Sequence, residues 1–336
     1  MRVGIIGTGA IADKHAQAYR NIGYQLTQCS GLNPARGRAF ADRWGCRFVE
    51  RWQNVCTSGD VDFVDVCTFP NFRLAPVELC AASKNHVQVQ KPMAVDLAAA
   101  RRMIDIAEAA GITLGVVSQH RFDNSSLFLK PAIEAGRLGK ILQADAYVKW
   151  WRSDEYYSRP VKGTWEVEGG GALINQAIHQ IDLLLWLCGP VRHVSAEWQL
   201  GAAHRIESED LVSAALRYES GAIGVIQAAT AIRPGYPERV EIHGDKGSAI
   251  ITGDKLTAWD VEGDADAPLE GNAASGASNP MAISLLPFER QFLDFGAAIR
   301  ERRPPVVSGE EGYRALELVE AIYQSCREGR KVTLHE

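Results

Sequence analysis

The chain has no apolar run that approaches the ~20 residues a bilayer span needs, so nothing in it is suited to insertion in a membrane. It also has no cluster of basic residues. Its 36 Lys and Arg face 41 Asp and Glu for a formal net charge of −5, the wrong sign for a general nucleic-acid surface, which must offset phosphate charge. Cysteine is scarce and scattered. The positions Cys29, Cys46, Cys56, Cys67, Cys80, Cys188 and Cys326 show neither zinc-site pairing nor an even disulfide framework, so no metal is expected and the thiols read as small apolar residues of a reducing compartment. No charged-then-apolar leader precedes Met1-Arg-Val-Gly-Ile-Ile-Gly7, which makes a cytoplasmic location the expectation. What remains is the composition of a soluble globular protein, 46% hydrophobic and 23% charged over 336 residues, long enough for two domains.

One stretch stands out, running from Gly169-Gly-Gly through Asn175, His179 and Asp182 to Gly189-Pro190. Glycines bracket it, and the spacing predicts a single helix of roughly five turns. Leu173, Ile174, Ile178, Ile181, Leu183, Leu184, Leu185 and Leu187 surround nearly its whole circumference, the pattern of a buried helix. Asn175, His179 and Asp182, spaced by four and then three, share one stripe of it. Buried polar groups are costly unless bonded. They therefore form either a seam satisfied by neighbouring backbone or part of a site.

The N-terminus supplies a second motif. Arg2-Val-Gly-Ile-Ile reads as a strand, and Gly7-Thr8-Gly9-Ala10-Ile11-Ala12 turns it into a helix, which is the dinucleotide fingerprint in its strand-then-helix setting. The second strand, Leu26–Cys29, should end in the acid that holds an adenosine ribose. It ends instead in Ser30-Gly31-Leu32-Asn33, with no carboxylate until Asp42 and with Arg36 and Arg38 nearby. NADP is thus at least as well suited as NAD, unless these arginines are only a solvated helix face. Strands at 61–68 and 86–90 lead to Thr68-Phe-Pro70-Asn71 and Lys91-Pro92, and a last strand, 112–117, ends near His120-Arg121. This order implies a parallel sheet with helices on both faces, and Lys91 falls at a strand's carboxyl end, where such sheets bind ligands.

Beyond residue 120 the pattern changes to successive strands at about 141–152, 191–200, 210–218, 221–231, 238–243 and 248–258. A mostly antiparallel sheet is expected. The predicted domains are therefore residues 1–120 and 121–336, with closing helices at 287–302 and 310–328 as candidates to pack back on the first. Residues 261–280, rich in Gly, Ala, Asp and Ser, predict a mobile loop. Trp150-Trp151-Arg152 with Tyr156, Tyr157 and Trp165 offers aromatic faces and polar edges suited to a polyhydroxylated ring.

Gly7 to Ala12, Cys67-Thr-Phe-Pro-Asn71, Lys91-Pro92, the Gly169-to-Asp182 stretch and the closing Phe288-to-Cys326 segment together resemble the glucose-fructose oxidoreductase, inositol dehydrogenase and MocA (Gfo/Idh/MocA) family. The resemblance implies an α/β fold: an N-terminal Rossmann domain, then an α/β domain with a large, open, mostly antiparallel sheet that often mediates dimers or tetramers. It implies NAD(P)-dependent chemistry on sugars or cyclitols, with Lys91 and His179 as catalytic groups and Asn175 where many members carry Asp. The candidate cofactor-binding set is Gly7, Thr8, Gly9, Ala10, Ile11, Ser30, Asn33, Arg36, Thr68, Pro70, Asn71, Gln90 and Lys91. The candidate substrate-binding set is Lys91, Arg121, Trp151, Arg152, Tyr156, Trp165, Asn175 and His179. Three positions depart from the family pattern: Gln90 for a Glu, Gly31 for an Asp, and Leu74 for a His. Amides at 90 and 175 remove negative charge, which is expected to lower the proton affinity of Lys91 and His179. A redox-neutral NAD-dependent glycosidase and a non-catalytic sensor are the rival readings, and retention of Lys91 and His179 argues against the sensor.

Overall fold

The computed structural model describes residues 1–159, 161–269 and 284–334. Two compact units divide the chain: Met1–Gln119 with Ser284–Tyr313, and His120–Ile283 with Arg314–Glu336. The first is built on strands β1 (Arg2–Ile6), β2 (Gln25–Ser30), β3 (Arg47–Phe48), β4 (Phe63–Val66), β5 (His86–Val89) and β6 (Leu114–Val116). They form one parallel sheet in the order β3-β2-β1-β4-β5-β6. β4 and β6 are buried throughout, as expected where helices cover both faces.

Local chemistry sets the helix ends in this unit. Asn33 caps Pro34–Trp44 by accepting the Arg36 N–H, and left-handed Gly45 closes it; Asp96 and Gly111 do the same for Leu97–Ala110. The helix Ala10–Asn21 differs, since it starts at Gly9 with no side-chain cap. Its buried face, carrying Ala12, His15, Ala16 and Tyr19, meets Phe288 and Phe292 of the helix Leu286–Glu301.

The second unit holds β7 (Ile141–Lys149), β8 (Val191–Leu200), β9 (Glu209–Tyr218), β10 (Ile223–Ala229), β11 (Arg239–Gly244), β12 (Gly247–Thr252), β13 (Lys255–Val261) and β14 (Val332–Thr333). Their order is β13-β12-β11-β7-β10-β9-β8-β14, antiparallel except where β7 meets β10. The expected single strand at 248–258 is two strands, because Gly253, at φ +60, takes a left-handed turn between them. Of the expected loop at 261–280, the part up to 269 is described. Arg137 grips Asp264 there at 2.6 and 2.8 Å, and the remainder lies outside the described residues.

The expected five-turn helix is shorter and begins irregularly. A π-helical turn, Leu173–Ala177, precedes the α-helix Ile178–Cys188, which lies on β7 and β11. Ala144 and Ala146 of β7 are fully buried, and their small side chains allow the helix a close approach. Position 171 requires glycine, because a Cβ there would fall 1.8 Å from the Glu209 carbonyl oxygen. Among the described residues, no helix is long and apolar enough to cross a membrane.

Candidate active site

In the first unit the first fingerprint glycine is sterically required. Gly7 has φ +99, and a Cβ there would meet the Cys67 carbonyl at 2.8 Å; at Gly9 a Cβ would meet nothing within 4 Å. Open space beside an uncapped helix start leaves backbone N–H groups available to an anion, so these residues fit a dinucleotide pyrophosphate. At Gly31 a Cβ would sit 2.5 Å from Thr8 Oγ1. An acid at the end of β2 would therefore have to displace Thr8. Asn33 is committed to its capping role, Ser30 is buried and Arg36 is exposed.

The ends of β4 and β5 are tied together by a residue that sequence reading missed. Arg73, 3% exposed, donates to the Thr68 carbonyl at 2.6 Å and to the carbonyls of Gln90 and Pro92. Burial pushes its guanidinium down to about 9. Pro70 is buried, Asn71 is exposed, and the Lys91–Pro92 peptide is cis. Gln90 faces inward: its Oε1 accepts the Lys91 N–H at 2.8 Å and its Nε2 meets His15 Nε2 at 2.9 Å. His15 Nδ1 lies 2.7 Å from Asp65 Oδ2, which also accepts the Tyr19 hydroxyl at 2.8 Å. Cys67 Sγ is 3.4 Å from the same ring nitrogen. His15, Asp65 and Cys67 are close enough together to hold a cation, but burial pushes the thiol well above its usual range and Asp65 Oδ2 already accepts from Tyr19. A signal for His15 was available: it shares the buried stripe of Ala12, Ala16 and Tyr19, the same reasoning that singled out His179.

In the second unit Glu209 anchors the irregular helix. Its carboxylate accepts the N–H groups of Gly171 and Leu173 at 2.8 Å each and the Tyr323 hydroxyl at 2.9 Å. Burial raises it from 4.5 to about 7, against the lowering pull of those three donors. Asn175, in the π turn, donates to the Gly170 carbonyl five residues back at 3.1 Å. The wider turn takes Asn175 off the regular stripe that His179 and Asp182 keep. Asp182 is buried and paired with Arg121 at 2.6 and 2.8 Å, so Arg121 anchors the helix body from a site only 2% exposed. His120, absent from the expected set, packs edge-on against His179 with centroids 5.0 Å apart and holds Asp123 at 2.7 Å. Burial works against its charged form, but Asp123, joined by Glu238 and Asp254, raises it overall.

The aromatic cluster splits. Arg152 lies over Trp150 and Tyr156, whose hydroxyl accepts from Gln176, next to Asn175. Trp151 packs at a tilt against His204 and lies under Arg233. Trp165 sits elsewhere, packed on Trp198 and Tyr323 beside Gly170. The structure thus links Arg152 to Tyr156 and Tyr156 to Gln176, the chain neighbour of Asn175, and packs His179 on His120, while Arg121 pairs with Asp182 and Trp165 packs on Trp198 and Tyr323.

A family model described as an oxidoreductase family with an NAD-binding Rossmann fold matches residues 1–118, and one for the GFO/IDH/MocA C-terminal domain matches residues 127–250. A myo-inositol 2-dehydrogenase from Thermotoga maritima is 28% identical over 352 residues, covering 100% of this chain and 99% of its own. A D-apiose dehydrogenase from Paraburkholderia graminis is also 28% identical, with 98% and 88% covered. The WlbA dehydrogenase of Bordetella pertussis, solved with NADH and UDP-GlcNAcA, superposes at TM-score 0.89 with 31% identity, covering 100% of this chain and 98% of that one.

Proposed function

This chain belongs to the Gfo/Idh/MocA family of oxidoreductases, and on that premise we propose that it moves a hydride between a nicotinamide dinucleotide and a secondary alcohol or ketone of a sugar or cyclitol. The observation that carries the reading is the fixed position of Lys91, whose flanking backbone is held by Gln90 and Arg73 at the end of β5. NAD or NADP, when bound at the Gly7-to-Ile11 turn, supplies the hydride acceptor or donor. In oxidation Lys91 holds and polarises the substrate oxygen, His179 takes the hydroxyl proton, and Asn175 fixes the substrate.

The absence of an acid at Gly31 and the exposed Arg36 favour tolerance of a 2′-phosphate, while the WlbA structure contains NADH. Among sugars, an acidic one is favoured by Arg152 and Arg159, at 5.7 and 4.9 Å from the Tyr156 ring centre, whereas Lys162, also over that ring, is paired with Glu168. Assembly as a homodimer or homotetramer through the eight-stranded sheet belongs to the same proposal, and light scattering tests it.

The deciding experiment pairs a thermal-shift titration with NAD⁺ and NADP⁺ with a hydride-transfer screen over inositols, neutral sugars and sugar acids. On any substrate found, Lys91→Ala should lower kcat by about 10²-fold or more, the usual scale for a positioned polarising or proton-handling group. An unchanged kcat would remove Lys91 from the mechanism, and glycoside cleavage without net cofactor reduction would select the glycosidase reading.

A further inference from the structure

The buried chain beneath Lys91 can be given a direction. Gln90 Oε1 accepts the Lys91 N–H, so the other end of its amide is the NH₂ group, and that group faces His15 Nε2 at 2.9 Å. An NH₂ can only donate. His15 Nε2 must then be bare, and its hydrogen must lie on Nδ1, 2.7 Å from Asp65 Oδ2. The Tyr19 hydroxyl donates to the same oxygen and itself accepts from Gln88 Nε2 at 3.3 Å. Lys91, Gln90 and His15 thus form one donor-to-acceptor sequence that runs inward to Asp65. His15, Asp65, Gln88 and Tyr19 are at most 1% exposed and Gln90 is 5% exposed.

We propose that Gln90 and His15 act as a single electrostatic unit that positions Lys91, with Gln90 fixing His15 as its Nδ1–H tautomer. A Glu at 90 would present an acceptor to Nε2, and His15 would take a second proton to meet it. The carboxylate charge and the imidazolium charge arrive together and cancel, while Asp65 is common to both arrangements. The amide at 90 therefore leaves the charge beneath Lys91 as a carboxylate would, and the expected loss of proton affinity at Lys91 is offset by the proton His15 does not carry. His15 is a positioning residue in this account.

The test is tautomer NMR on the full chain labelled with ¹⁵N-histidine. At neutral pH the His15 signal, identified by its loss in His15→Asn, should show a protonated Nδ1 and a bare Nε2, and in Gln90→Glu it should become the imidazolium. An Nε2–H tautomer in the native chain overturns the proposal, as does a Gln90→Glu chain whose His15 keeps one hydrogen. If Gln90→Glu fails to fold, the native tautomer decides. This measurement needs no substrate, so it succeeds or fails independently of the hydride-transfer reading. The kinetic arm rests on that reading: the pH–rate limb governed by Lys91 should move at least about one unit further in Gln90→Glu/His15→Asn than in Gln90→Glu, the scale of one nearby uncompensated charge. Equal displacement in the two variants would show that His15 does not carry the compensating proton.

Discussion

Lys91 and His179 are held by different physics. Lys91 stands at the end of a parallel strand, where the neighbouring strand ends supply carbonyls and side chains, and its support is a sequence of hydrogen bonds through Gln90 and His15 with the Arg73 clamp on the backbone. His179 rides on a helix among apolar side chains, whose support comes from two side-chain anchors, Glu209 at the start and the Arg121–Asp182 pair along the body. Neighbouring backbone satisfies polar groups at a strand end. A helix laid on an apolar sheet face has no such neighbours, so side chains from distant elements must fix its rotation and depth. The neutral members of the strand-end network, Gln90 and Tyr19, should therefore be cheaper to lose than either partner of the Arg121–Asp182 pair, since an unpaired buried charge costs more than an unpaired dipole.

The largest effect expected is at the helix body. Asp182→Ala leaves the Arg121 guanidinium buried without its carboxylate and should cost about 3–5 kcal/mol in chemical denaturation, whereas Arg121→Met with Asp182→Leu should restore most of it. A single-variant loss below about 1 kcal/mol would erase the contrast between the two regions.

The second effect is a pH slope. Because Glu209 sits at about 7 when folded against 4.5 ordinarily, the folded chain keeps a proton there between these values that the unfolded chain releases. Stability contributed by the protonated form is therefore present below pH 4.5 and lost as pH rises to about 7, by up to about 3 kcal/mol at 1.36 kcal/mol per unit. Glu209→Gln should flatten that part of the stability–pH curve. Identical slopes in the two chains would remove Glu209 as its source.

The smallest effect belongs to the strand-end network. Tyr19→Phe removes one of the donors to Asp65 and should cost about 1–2 kcal/mol, the scale of one buried hydrogen bond. A loss matching that of Asp182→Ala would mean that the first unit depends on its polar chain as heavily as the second depends on its ion pair.

The glycine turn, Lys91 at its strand end and His179 in its apolar run were legible in the sequence because each is a short-range pattern: a turn before a helix, a residue before proline, a spacing on a helix. Asp65 left a fainter mark, a carboxylate inside an apolar strand. Arg73, Glu209 and His120 left none that could be read locally. Glu209 meets Gly171 and Leu173 across separations of 38 and 36 residues and Tyr323 across 114, and no periodicity reports a partner that far away. The π turn was illegible for the same reason, since the Gly171 and Leu173 N–H groups that Glu209 accepts lie at its start. Trp165 and Arg121 were matched to the site by type, and the sequence did not report their neighbours, Trp198 and Tyr323 for the one and Asp182 for the other.

The sequence by itself determined the two-sheet architecture, the dinucleotide turn and the family, since alternation, glycine placement and motif order are local properties of the chain. Tertiary structure alone decided which polar groups are spent on holding the site and which can face a ligand. That outcome depends on whether a buried donor finds an acceptor, and the acceptors come from strands and helices far away in the chain.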